Sequence, residues 1–398
     1  MKQLFKIRKT IKDHGQEFGA ITILLVFLIG IFILPVQIPS NYDFVVMYNY
    51  DRGLLAGIPI YDHEAQLEFA LSNLSTETGL SYSAPFPYPP WYALVTLPLG
   101  LIPVQLSARI WFAVNLVLLF TALWLLTSGW LIKKKFIFFI LSLFFLPVLE
   151  ILVIGQFDFP VLLGAALIIY SVNREKPLVT AIALALLTFK PHLGVLLILA
   201  VVIYLLCLKN AFGRSALKFS ILIGIFLFAI GFLADPMWPK NYLNTLFSFN
   251  QISEVASCDI CVSFPVILAR LLKGYSSSDL AFLLGFLIFV FLTLGCILTQ
   301  KQQLRSIDYL VSLFAMITIF SSPYLFLYDY VLLLVPILLV GRSYLNIKDW
   351  IFVITIIIIP MIGFILWRRE GNFAIYLSTL ILFFYFLFKT KLSITSQD

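Results

Sequence analysis

Charge is what this chain lacks most. Of its 398 residues, 12% are charged and 61% hydrophobic, against roughly 25% and 45–50% in a soluble globule. So little charge cannot cover a water-facing surface, so lipid must be the main solvent. Histidine and cysteine are nearly as scarce, with three and four. That leaves no His/Cys-rich zinc framework and no disulfide-stapled small scaffold. Nor is there a basic face interleaved with aromatics on a soluble fold, so no nucleic-acid partner is expected.

What the sequence has is apolar runs of about 20 residues, recurring from Ile21 to Phe388. Each is long enough to cross about 30 Å of hydrocarbon as a helix. The fold class expected is therefore all-α: a polytopic bundle forming one membrane domain over residues 1–398. A basic head with Lys2, Lys6, Arg8, Lys9 and Lys12 precedes the first run, at residues 18–37. It lacks a small-residue cleavage site and reads as a retained signal-anchor.

The next stretch to about residue 87 is the longest polar segment, with Asp43, Asp51, Asp62, Glu64, Glu68 and Glu77 against the single Arg52. Residues 91–103 pose a choice, being short, apolar and broken by Pro98 and Pro103. If they do not span, the loops with Lys133 to Lys135, Arg174/Lys176, Lys209/Arg214/Lys218, Lys301/Arg305 and Arg342/Lys348 all fall inside. If they span, every one of those loops inverts. The positive-inside rule favours a juxtamembrane helix, although Arg109, Arg368 and Arg369 then fall outside. Residues 38–103 become a first outer loop and residues 235–275 a second, with an amphipathic piece at 264–273. About 12 spans remain, centred near Leu28, Leu116, Leu143, Ala165, Leu184, Leu199, Phe226, Ile288, Phe314, Leu334, Ile357 and Ile381. Both termini are expected in the cytoplasm.

On that map the unusual polar residues gather at one leaflet. Ionisable groups at membrane depth are costly unless they are paired or face a wet cavity. Asp43, in Asn41-Tyr42-Asp43-Phe44, reads either as a general base for an attacking hydroxyl or as a solvated helix cap. Lys190, in Thr188-Phe189-Lys190-Pro191, suits a phosphate oxygen; snorkelling, or pairing with Asp158 or Glu150, is the alternative. His192 either donates to the same anion or merely packs. Gly155-Gln156-Phe157-Asp158 is a tight turn: Gln156 can bind a hydroxyl or phosphate, and Asp158 can cap the helix opening at Pro160. Tyr88, in Pro85-Phe86-Pro87-Tyr88-Pro89-Pro90-Trp91, either lines a sugar site or anchors an interface. Tyr328 and Asp329 sit in an apolar run near Ser322-Pro323-Tyr324, where Asp329 needs a partner. Cys258 and Cys261 read as a local disulfide or two thiols, Cys207 and Cys296 as core residues, and Asn73-Leu74-Ser75 as a glycosylation sequon.

Taken in order, these pieces resemble the family 87 glycosyltransferases of the GT-C superfamily. The resemblance runs through Asp43-Phe44, Gly57-Ile58-Pro59-Ile60-Tyr61, Tyr88-Pro89-Pro90, Gly155-Gln156, Thr188-Phe189-Lys190-Pro191, Ser322-Pro323-Tyr324 and Tyr328-Asp329, over about residues 40–340. It implies a membrane hexosyltransferase that inverts configuration in one displacement. The donor would be a polyprenyl-phosphate sugar, most often mannose, and the acceptor a lipid or glycan. It maps the general base to Asp43 and the donor phosphate to Lys190; the residue pattern itself adds His192 beside that phosphate and Tyr88, Gln156, Asp158, Tyr328 and Asp329 as substrate contacts. It also implies juxtamembrane helices in the first outer loop, and neither cofactor nor metal. Some members carry a histidine where this chain has Tyr328-Asp329. The competing class is a multi-span transporter or flippase of a glycolipid or polyprenyl phosphate, but no internal repeat supports alternating access.

Overall fold

The computed structural model describes residues 29–30, 43–78, 85–252, 261–273, 278–343, 347–367 and 374–395. The expected first span and Cys258 fall largely or wholly outside these residues. No strand occurs among them. The acidic stretch after residue 42 folds as α1 (Asp43–Leu55), α2 (His63–Asn73) and α3 (Ser75–Thr78). Gly57, at φ +86°, turns the chain after α1, a conformation that costs a side-chain-bearing residue dearly. Asp62 then caps α2 by accepting from the Ala65 amide at 3.2 Å.

Residues 91–103 form α4 (Pro90–Thr96) and a 3-10 turn, Leu97–Leu101. Both are far short of the roughly 20 residues a span needs. They are tied to α1: the Thr96 hydroxyl donates to Asp51 Oδ1 at 3.0 Å and the Tyr48 hydroxyl to the Ile102 carbonyl at 2.9 Å. Around these bonds an aromatic core gathers Phe44, Tyr48, Tyr92, Trp111 and Phe157.

The main bundle begins with α5 (Val104–Leu126). It continues through α6 (Ile132–Leu143), α7 (Leu146–Ile154), α8 (Phe159–Val172), α9 (Pro177–Leu187), α10 (Pro191–Leu208) and α11 (Ala211–Gly231). Then follow α12 (Trp238–Ile252), α13 (Phe264–Lys273), α14 (Ser278–Thr299), α15 (Ile307–Ser321), α16 (Leu334–Ser343), α17 (Ile347–Trp367) and α18 (Ala374–Thr395). α8 packs between α5 and α9, and α10 lies on α15. A Cβ at Gly164 on α8 would stand 2.9 Å from the Ala183 carbonyl of α9, so this helix pair closes only with glycine there.

Among the described residues, five helices are long and apolar enough to cross a membrane, and six if one bent pair counts as a span. Every expected centre from Leu116 onward lies on a helix. Several of these helices are only 10–17 residues long because turns and prolines interrupt the apolar runs. The run around Leu143 shows the effect. It bends by 67° between α6 and α7, where Pro147 in the first turn of α7 cannot donate to a continuing helix. Large apolar side chains such as Ile221, Ile225 and Phe226 on α11 and Phe282, Phe286 and Phe291 on α14 lie exposed. Bands of that width need lipid, and the chain is a membrane protein.

Asp51 is 1% exposed, and burial pushes its carboxyl well above the ordinary value of 3.8, only partly opposed by the Thr96 hydroxyl. A carboxyl raised on folding binds protons in the native state that the unfolded chain has lost. Native stability therefore falls as pH rises above about 4 toward the raised value. The expected outcome is that Asp51→Asn, which keeps the acceptor for Thr96, matches wild type near pH 4 and melts higher at pH 8. Thermal unfolding in detergent at the two pH values measures it.

Candidate functional site

Three turns and one helix start converge here. α7 ends at Gly155 in the left-handed region, φ +75°, the favoured glycine stop. Two α5 side chains fix the following turn: Trp111 Nε1 donates to the Gly155 carbonyl at 2.8 Å and Asn115 Nδ2 to the Gln156 carbonyl at 3.0 Å. The Gln156 amide is thereby aimed at α1, and its Nε2 donates to Asp43 Oδ2 at 2.6 Å. Asp43 opens α1, where the helix dipole favours a carboxylate. Burial nonetheless raises its carboxyl above 3.8, with the Gln156 bond and the charge of Lys190 opposing.

Asp158 precedes α8 but makes no side-chain cap there. The capping alternative gives way to an ion pair: Asp158 Oδ1 accepts from Lys190 Nζ at 2.8 Å. Lys190 sits between α9 and α10, where Pro191 begins the next helix. Its ammonium also reaches Asp329 Oδ1 at 2.9 Å, and the side chain is only 1% exposed. A buried lysine gripped by two carboxylates does not snorkel. Asp329 lies in a 3-10 helix, Leu327–Leu333, rather than inside an apolar α-helix as expected, and its Oδ2 accepts from the Phe326 amide at 2.7 Å. This bond caps the start of the short helix.

Aromatic rings floor the cluster. Lys190 Nζ stands 4.3 Å above the Tyr328 ring and 5.5 Å from that of Phe157, positions favourable to a cation. Tyr88 meets Phe157 edge-on at 4.5 Å, and Phe157 stacks on Tyr92 at 4.0 Å. His192, 30% exposed, brings Nε2 to 3.5 Å from Asp329 Oδ1, beyond a good hydrogen bond. The eight residues singled out from the sequence thus share one site. Glu150 joins them: the charges of Asp329, Asp43 and Lys190 all act on it. The sequence held a signal for it, an acid alone in an apolar run, but read it only as a partner for Lys190. Phe157 and Tyr92 left no such signal, because aromatics abound in this chain. Among the described residues no group of three or more His, Cys, Asp or Glu is arranged to hold a metal ion. Cys261 is disulfide-bonded, and Cys207 and Cys296 are free.

The model of glycosyltransferase family 87 matches residues 86–323. The chain belongs to that family. No curated protein and no solved structure matches it. This family 87 chain is accordingly a membrane glycosyltransferase, acting on a sugar donor and an acceptor. The match includes Tyr88, Gln156, Asp158, Lys190 and His192, while Asp43, Tyr328 and Asp329 flank it.

Removing the ammonium group would leave two buried carboxylates facing each other. Breaking a buried pair in this way costs about 3–5 kcal/mol. Lys190→Met should therefore unfold well below wild type in a detergent thermal melt. The triple change Lys190→Met, Asp158→Asn, Asp329→Asn should recover much of the loss.

Proposed function

We propose that the chain is an inverting hexosyltransferase using a polyprenyl-phosphate sugar, most often mannose, with a lipid or glycan hydroxyl as acceptor. The observation that carries this reading is the Asp43 carboxylate, held by Gln156 within the field of Lys190 at the start of a helix. In the reaction the acceptor oxygen attacks the anomeric carbon and Asp43 takes the hydroxyl proton. The bond from that carbon to the phosphate oxygen breaks, and its electron pair leaves with the polyprenyl phosphate. Two of the three ammonium hydrogens of Lys190 are engaged by Asp158 and Asp329. The third, with the more exposed His192, meets charge developing on the phosphate. Tyr88, Tyr328 and Gln156 contact the sugar.

The charge pattern of the loops supports an extracytoplasmic site with both termini in the cytoplasm. The short helices support access from the membrane: α8, with 14 residues, is about 21 Å long. A helix shorter than the hydrocarbon lets the turns at its ends lie within reach of a lipid-linked phosphate.

Purified protein in nanodiscs, given polyprenyl-phosphate mannose and lipid acceptors, tests the reading. Asp43→Asn should lower transfer by about 10²–10⁴-fold with its melting temperature kept. Wild-type rates in that variant would remove Asp43 from the role, and donor translocation without a new glycosidic bond would favour a transporter. The pH profile gives a second check. The base works only when ionised, so the acidic limb of kcat/KM should lie above the ordinary carboxylate value. Gln156 opposes the rise, so Gln156→Leu should move that limb to still higher pH.

A further inference from the structure

The cluster holds more acceptors than donors. Gln156 Oε1, Asp158 Oδ2 and Glu150 Oε2 are all buried without a protein hydrogen-bond donor. Gln156 itself is 4% exposed and Asp158 fully buried. Their positions are linked: Gln156 bonds Asp43, Asp158 shares Lys190 with Asp329, and Glu150 feels the charges of Asp43, Lys190 and Asp329. Each orphaned buried oxygen carries a cost, and these three belong to residues that share hydrogen-bond and charge partners.

A ligand that relieves them must pair with several oxygens at once. A polyol brings several O–H donors on one rigid ring, with apolar C–H faces suited to the Phe157 and Tyr88 rings. A divalent cation would also satisfy carboxylates, but Lys190 already supplies the cationic charge between Asp158 and Asp329.

We propose that Glu150, with Gln156 Oε1 and Asp158 Oδ2, forms the subsite that reads the ring hydroxyls of the transferred hexosyl group, making Glu150 a specificity-determining residue. The inference builds on the glycosyl-transfer reading above. Glu150 is placed for this by the 67° bend between α6 and α7. α7 packs on the 3-10 helix carrying Asp329, so the bend brings an acid from an apolar helix to the cluster. Buried polar groups discriminate strongly, because an analogue lacking the matching hydroxyl leaves one of them unpaired.

The test compares wild type, Glu150→Gln and Glu150→Leu in nanodiscs, each checked by thermal unfolding. The probes are polyprenyl-phosphate mannose and its 2-, 3-, 4- and 6-deoxy analogues. Wild type should lose about 10- to 100-fold in kcat/KM for at least one deoxy donor. Glu150→Leu should accept that donor and the parent alike, and the isosteric Glu150→Gln should lie between. Unchanged discrimination in Glu150→Leu overturns the proposal while leaving glycosyl transfer standing. Activity lost to EDTA and restored by magnesium, with Glu150→Leu indifferent to both, overturns it in favour of a metal site. Should wild type transfer no sugar, the glycosyl-transfer reading fails, and binding of methyl α-mannoside, read by saturation-transfer NMR, decides instead. Binding that is lost in Glu150→Leu supports the subsite, and equal or absent binding in both proteins overturns it.

Discussion

The structure turns on one buried ammonium group. Lys190 bridges Asp158 and Asp329 at 2.8 and 2.9 Å, joining three turns from distant parts of the chain. In an apolar protein such a cluster is costly to desolvate, and it persists only because each charge finds its partner. Every arm also has a helical consequence. Asp158 gives up the cap of α8, Lys190 fills the break before Pro191, and Asp329 caps a 3-10 turn. The polar centre thus sits where the helices of the bundle are interrupted.

Those interruptions set up the chemistry. Continuous 20-residue spans would push their polar turns to the two interfaces. Short helices and the α6–α7 bend instead bring turns together, and Gln156 in one of them bonds Asp43 at the start of α1. Asp43 gains its place this way, tied to the Gly155–Gln156 turn, which α5 itself pins through Trp111 and Asn115. A carboxyl so placed is partly shielded from water, which raises its affinity for a proton. The Gln156 amide and the Lys190 charge hold that rise in check.

Much of this was legible in the residues. Low charge and long apolar runs required a membrane protein, and each apolar run from Leu116 onward became a helix. Asp43, Asp158, Lys190, His192 and Asp329 were legible too, because ionisable groups stand out in such a chain, while Tyr88, Gln156 and Tyr328 were picked out only by the motifs around them. Two things were not. The bends escaped because hydropathy measures how long a run is, not where the chain turns within it, as at Phe144-Phe145. The aromatic floor failed because Phe157 and Tyr92 look like every other ring in a chain with 39 phenylalanines.

The sequence by itself determined that lipid surrounds this protein, that its fold is helical, and which few polar groups had to find partners. Those follow from composition and period, which are local. Only the tertiary structure decided who pairs with whom. Lys190 had Asp158, Glu150 and a ligand phosphate as candidates, and the fold gave it two carboxylates, one of them 139 residues away. It also left Glu150, Gln156 and Asp158 each with a buried oxygen that no protein group partners. The reason is geometric: hydrogen bonds and ion pairs act over about 3 Å, a distance that spacing along the chain does not encode.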